Sequence, residues 1–175
     1  MEITNDFAQI RANGQYGYVR LYNVDCDQVT IVLPLAQACG MQVMLGIWDV
    51  QTMDTSVQAL CDAVAGRWSA VHSVTVGNEF ILSGKCTADQ MVAYTIDART
   101  KLRAKGCPSP VAGVNVFYEV LQNPNLCNGQ DFMAVNAHAF FDGGVAAEGT
   151  GAFLTNMRKQ VSDKCGGKFT LITGK

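Results

Sequence analysis

Glu79 ends the stretch Val71-His-Ser-Val-Thr-Val-Gly-Asn-Glu79, and no residue in this sequence is better placed to move a proton. An apolar, β-branched run bounded by polar residues reads as a buried strand. A carboxylate at the C-terminal end of such a strand lies where α/β sheets hold their ligands. A lone strand-end Glu more often just opens a loop, and it is Asn78 beside it that favours chemistry. Neighbouring strand residues face opposite ways. At the strand's end both can still turn to one substrate, the carboxamide binding a hydroxyl while the carboxyl transfers a proton.

Other polar side chains fall at the ends of strand-like segments. In Tyr18-Val-Arg-Leu-Tyr-Asn23, alternation puts Arg20 and Tyr22 on one face and Val19 and Leu21 on the other. In an open sheet that pair faces solvent; in a barrel it lines the interior near the site. Gln42 to Asp49 is near-continuously apolar, as in a parallel strand covered on both faces. Trp48 at its end reads as core by default, although a strand-end indole is also a platform for a sugar. In Phe132 to Phe140, Asn136 and His138 share a face opposite Met133, Val135 and Ala137, and Phe140-Phe141-Asp142-Gly143 closes the run. That pattern reads as a lined pocket, with a satisfied half-buried histidine as the alternative. His72 lies at the start of its strand, away from Glu79, and reads as structural. Val111 to Glu119 reads as a further strand, with Glu119 at its end.

Helical patterns separate these segments. Met1 to Arg11 carries Ile3, Phe7 and Ile10 at helical spacing and is stopped by Asn13-Gly14. Asp27 to Ala38 follows, with Pro34 inside it, and Asp54-Thr55-Ser56 offers a cap for a helix running to about Arg67. Thr87 with Gln90 three residues on is a capping box opening a helix that ends at Gly106. Phe153, Leu154, Met157 and Val161 mark the last helix, and Lys168 to Thr173 the last strand. Six strands, separated by crossovers long enough for parallel pairing, make the chain α/β and a single domain over residues 1–175. Pattern alone leaves open a doubly wound sheet or a barrel. Tyr22, Trp48, Glu79 and His138 converge best if the sheet curls toward closure.

Composition narrows the function classes. The chain is 49% hydrophobic and 16% charged over 175 residues, a globular balance. With a net charge of −2 and scattered Lys and Arg, it shows no basic stripe for nucleic acid. No apolar run approaches the roughly 20 residues that cross a bilayer, and Met1-Glu-Ile-Thr-Asn-Asp lacks the basic and apolar regions of a secretory signal. The 7 cysteines include no Cys-x-x-Cys pair, which argues against zinc or a redox dithiol. Up to three disulfides in an exported protein, or small buried hydrophobes in a cytosolic one, fit equally well. No Gly-rich phosphate loop follows any strand, which counts against a small metabolite-binding α/β domain.

Taken together, Val19-Arg-Leu-Tyr22, Val76-Gly-Asn-Glu79, Leu126-Cys-Asn, Asp131 to Asp142 and Val161-Ser-Asp-Lys-Cys-Gly-Gly167 resemble family 17 of the glycoside hydrolases. The likeness runs almost end to end and is strongest to the fungal cell-wall mannoprotein branch of endo-β-1,3-glucanases and glucanosyltransferases. It implies a (β/α)8 barrel, a retaining mechanism on β-1,3-glucan, a cell-wall or extracellular location, and no metal or organic cofactor. It implies that Glu79 is the acid/base, that Asn78 binds a hydroxyl, and that Arg20, Tyr22, Asn136 and His138 line the sugar cleft.

The resemblance also marks departures. The family's nucleophile follows Ile-Thr in strand seven, and here Ile172-Thr173 is followed by Gly174-Lys175. The first and eighth strands have no counterpart, so the expectation is an incomplete barrel holding about strands two to seven. Exposed strand edges would then invite self-association. Glu119, Asp49 and Asp142 are expected to be loop or hydroxyl-binding residues and not replacements for the nucleophile. Two functions follow: an impaired glycoside hydrolase, or a non-catalytic wall protein that binds glucan.

Overall fold

A computed structural model describes residues 2–173. Met1, where the first predicted helix was to begin, and Gly174-Lys175, the departure from the nucleophile motif, lie outside the described residues. The chain forms two compact units, residues 1–76 with 98–110 and residues 77–97 with 111–175.

The first unit contains α1 (Glu2–Asn13), β1 (Tyr18–Arg20), α2 (Gln28–Ala38), β2 (Gln42–Ile47), α3 (Met53–Val64) and β3 (Val71–Val76). Its three strands are parallel, with Val19 opposite Val43 and Ile47 opposite Val76. The apolar run of β2 is realised as expected: Val43, Met44, Leu45 and Ile47 are wholly buried. Burial on both pleat faces needs helices as cover, and Val29 and Leu33 of α2 with Val57 and Leu60 of α3 are buried in the same unit. The helix α4 (Ala88–Ala104) begins in the second unit and its last turns lie in the first. There Lys101 pairs with Asp54 at 2.8 Å and Arg103 donates to the Ser109 carbonyl at 2.8 Å.

Gly46 shows how tightly this sheet meets the following loop. A β-carbon there would lie 2.5 Å from the Tyr22 carbonyl oxygen and 2.6 Å from that of Leu21. Both are backbone atoms that cannot swing aside. Gly46→Ala should therefore destabilise the protein by about 1–3 kcal/mol through overpacking, read as a lower unfolding midpoint in urea. It should also displace Tyr22.

The second unit contains β4 (Val111–Val116), α5 (Phe117–Gln122), β5 (Met133–Asn136), α6 (Thr150–Lys164) and β6 (Thr170–Ile172). These strands are also parallel, with Val116 opposite Asn136 and Val135 opposite Ile172. Side chains add to the backbone bond from the Asp131 N–H to the Val111 carbonyl: Gln130 accepts from the Gly113 N–H and Asp131 from the Val111 N–H, each at 2.9 Å. A disulfide joins Cys127 to Cys165. The cysteines at 26, 39, 61, 86 and 107 are thiols.

Some boundaries differ from expectation. The segment ending at Glu119 is a strand only to Val116, and α5 begins at Phe117, so Glu119 is a helical residue and not a strand end. The cap of α3 is not Asp54-Thr55-Ser56, which lie inside the helix; Thr52 occupies the N-cap position. Its hydroxyl donates to Asp49 at 3.0 Å, and the Gln51 N–H reaches the same carboxylate at 2.9 Å. His138 lies beyond β5, in extended backbone that leads into the turn Ala139–Phe141.

Candidate functional site

Strand β3 stops at Val76, three residues before Glu79. The turn between them is left-handed, with φ at +62° for Gly77 and +57° for Glu79. Glycine takes this conformation freely, but for a residue with a β-carbon it costs of the order of 1–3 kcal/mol and persists only where surroundings over-determine it. They do so here. The Glu79 N–H donates to the Val114 carbonyl at 3.0 Å, and its own carbonyl accepts from the Ser83 N–H at 3.0 Å and the Ser83 hydroxyl at 2.9 Å. Phe80, 6% exposed, anchors the next position.

The carboxylate thus delivered meets the end of β5. The Asn136 amide nitrogen donates to Glu79 Oε1 at 2.6 Å and to Asn78 Oδ1 at 3.2 Å. Asn136 is buried, and its carbonyl oxygen accepts from the Thr173 hydroxyl at 2.5 Å. The Thr173 N–H in turn donates to the Val135 carbonyl at 2.8 Å, which continues the β5–β6 ladder one residue further.

Glu79 opens into a cavity of about 580 Å³ whose walls include Tyr118, His138, Phe141, Asp142 and Phe153. The rings brace one another: Phe117 meets Phe153 edge-on at 6.0 Å, and His138 meets Phe141 edge-on at 5.8 Å. Phe140 and Phe141 remain 87% and 79% exposed, which leaves large apolar faces for a ligand. Asp142 is a loop carboxylate that accepts from the Gly144 N–H at 3.1 Å.

Tyr118 feels the carboxylate. Loss of solvation, then the neighbouring Glu119 and Glu79 charges, push its phenol above the usual tyrosine range. Since the folded value is raised, the neutral phenol favours the folded state below about pH 10, and that contribution fades as pH rises through the folded value. An ultraviolet titration should show a late phenol that disappears in Tyr118→Phe, and Glu79→Gln should lower its midpoint only slightly, because burial and Glu119 are the larger causes. A late phenol that persists in Tyr118→Phe would remove the assignment.

The first unit holds the remaining predicted residues. The Arg20 guanidinium lies 4.2 Å from the Tyr22 ring centroid, and Tyr22 lies 6.3 Å from Trp48 in a tilted arrangement. So Arg20, Tyr22 and Trp48 cluster in one unit, and Asn78, Glu79, Asn136 and His138 in the other. His72 stacks on Tyr18 at 4.6 Å, and burial lowers its pKa. Glu119 does not stand with Glu79 in the cavity wall; its Oε2 accepts from Asn123. Sequence reasoning missed Tyr118, Phe153 and Thr173. Tyr118 was recoverable, because it follows Val116 as Asn78-Glu79 follow Val76. Among the described residues, no group of three or more His, Cys, Asp or Glu is placed to hold a metal, and no helix is long and apolar enough to cross a membrane.

Comparison with known proteins gives the chain's family and fold. Residues 1–174 match the family model described as the BtgE/BtgC glycoside hydrolase domain. The cell surface mannoprotein MP65 of Candida albicans is 40% identical over 98% of this chain and 45% of its own length. The probable family 17 glucosidase SCW4 of Saccharomyces cerevisiae is 36% identical over 98% of this chain and 44% of its own. This chain spans less than half the length of those relatives. Among solved structures, a glycoside hydrolase family 17 β-1,3-glucanosyltransferase from Rhizomucor miehei superposes with a TM-score of 0.81 at 25% identity, over 97% of this chain and 63% of that one. An active-site mutant of the Rhizomucor miehei enzyme, in complex with laminaritriose, gives a TM-score of 0.79 at 26% identity. The α/β chain is thus part of a (β/α)8 barrel.

Proposed function

We propose that this chain, which belongs to the family of BtgE/BtgC glycoside hydrolase domains, carries the acid/base half of a retaining site for β-1,3-glucan. The full site would serve an endo-β-1,3-glucanase or a β-1,3-glucanosyltransferase at the fungal cell surface. The proposal takes residues 1–175 as one glycosidase domain. The observation that supports it is the Asn136 amide held 2.6 Å from Glu79 in the wall of an aromatic-lined cavity.

Glu79 in its acid form protonates the departing glycosidic oxygen. As carboxylate it then takes a proton from water, giving hydrolysis, or from a sugar hydroxyl, giving transfer. Asn78 binds a hydroxyl of the same sugar and His138 binds further along the glucan, while Arg20, Tyr22 and Trp48, clustered in the first unit, are the residues there proposed to bind sugar. Retention needs a second carboxylate about 5–5.5 Å away to attack the anomeric carbon. Gly174 holds the position that the resemblance gives to that group, and it has no side chain to attack with. Impaired turnover follows. The test is laminarin with the unaltered chain and with Gly174→Glu: little product from the first and measurable laminari-oligosaccharides from the second. Vigorous cleavage by the unaltered chain that survives Glu79→Gln would overturn the assignment.

Gly174 together with the exposed Tyr22, Trp48, Phe140 and Phe141 also favours a second reading, a glucan-binding wall protein without turnover. It expects retention on insoluble β-1,3-glucan with no soluble product. Tyr22→Ala or Trp48→Ala should weaken retention by about 2- to 10-fold each, the worth of one aromatic contact. A chain that does not sediment with the glucan would remove this reading.

A further inference from the structure

We propose that Asn136 and Thr173 are positioning residues that fix which oxygen of Glu79 carries the transferable proton. This rests on the reading of Glu79 as the acid/base and names how that residue is regulated. The buried Asn136 amide has one acceptor oxygen and one donor nitrogen, and both are engaged: Oδ1 by the Thr173 hydroxyl at 2.5 Å, Nδ2 by Glu79 Oε1 at 2.6 Å and Asn78 Oδ1 at 3.2 Å. An amide rotated by half a turn would set its carbonyl against the carboxylate oxygen, acceptor against acceptor. The ionised Glu79 therefore demands the nitrogen. The carbonyl must then point toward the end of β6, where a donor is needed to satisfy it, and the Thr173 O–H supplies one.

The consequence is chemical. With Nδ2–H already on Oε1, a proton arriving at Glu79 goes to Oε2, and Oε1 stays an acceptor for Asn136 in both protonation states. The acid then presents one defined O–H to the cavity, and no rotation of the carboxyl is required between protonating the leaving group and deprotonating the incoming hydroxyl. The left-handed backbone of Glu79 sets where the side chain starts, and Asn136 sets how its head is turned. Thr173 is bonded through its N–H to β5 as well, so its hydroxyl is itself held in place.

The experiment follows the Asn136 side-chain amide by ¹⁵N–¹H NMR across a pH series in the whole chain. Its resonances should shift with a single titration, that shift should disappear in Glu79→Gln, and the amide protons should stay slow to exchange on both sides of it. Thr173→Ser should keep the response and Thr173→Val, which leaves the Asn136 carbonyl without its donor, should weaken it. Three results would overturn the proposal: no pH response in the unaltered chain, amide protons that become solvent-like once Glu79 is protonated, or a Thr173→Val response equal to the unaltered one. The first two need no Thr173 variant, so misfolding of Thr173→Val cannot shield the idea. Activity is not required either. A chain that fails to cleave or bind glucan but keeps the amide response defeats the functional reading and leaves the positioning network standing.

Discussion

Glu79→Gln should lower laminarin cleavage by about 10²–10⁴-fold, the range by which a positioned general acid/base accelerates such reactions. The comparison is made in the Gly174→Glu background, where a nucleophile is restored to the position that the resemblance assigns to it. Glutamine is nearly isosteric, and its carbonyl can still accept from Asn136 as Glu79 Oε1 does at 2.6 Å. The fold and the cavity should therefore survive, and what goes is the exchangeable acid proton. This makes the loss depend on the leaving group. A dinitrophenyl glycoside departs without protonation, so its first step should be nearly indifferent to the substitution, while laminarin should suffer the full loss. Equal losses on both substrates would mean that Glu79 holds the site together and does not act as its acid.

Local pattern announced the parts of this site that depend on neighbours in sequence. The β2 run was legible because a strand covered on both faces must be apolar throughout, and Val43 to Leu45 are wholly buried. The capping box was legible because its two bonds span three residues, and both form: the Thr87 N–H reaches Gln90 Oε1 at 2.8 Å and the Gln90 N–H reaches Thr87 Oγ at 3.3 Å. Asn78 and Glu79 stood out for their place after a β-branched run. The left-handed φ of Glu79 did not, because side-chain type rarely records it outside glycine.

Other features were hidden for different reasons. Val-Asn-Val-Phe-Tyr-Glu is rich in strand-forming residues, so the turn into helix at Phe117 ran against propensity, and Glu119 was misplaced with it. The bond from Thr173 to Asn136 spans 37 residues, and nothing in either neighbourhood points to the other. Three-dimensional pairing of this kind is what the sequence pattern does not hold. Cysteine pairing was hidden likewise, since widely spaced cysteines allow many connectivities.

Opening the Cys127–Cys165 bond should cost about 4 kcal/mol, the loop-closure entropy returned to the unfolded chain by a cross-link over 38 residues. The double variant Cys127→Ser, Cys165→Ser should show this as a lower urea midpoint, and reductant should reproduce it in the unaltered chain. The bond lies where the second unit most needs it. Cys127 ends the turn Pro124–Cys127 ahead of β5, and Cys165 follows α6 ahead of β6. Lys168 reinforces the same junction, donating to the Cys127 carbonyl at 2.7 Å and the Gln130 carbonyl at 3.0 Å. The cross-link therefore ties together the approaches to the two strands whose ends carry Asn136 and Thr173. Loosening it should blur their register before it unfolds the unit, so glucan retention should fall under reducing conditions at urea concentrations where the backbone is still folded. Unchanged stability after reduction would mean that the Lys168 bonds alone hold this junction. A bond of this worth also suits an oxidising compartment, which agrees with the proposed cell-surface location.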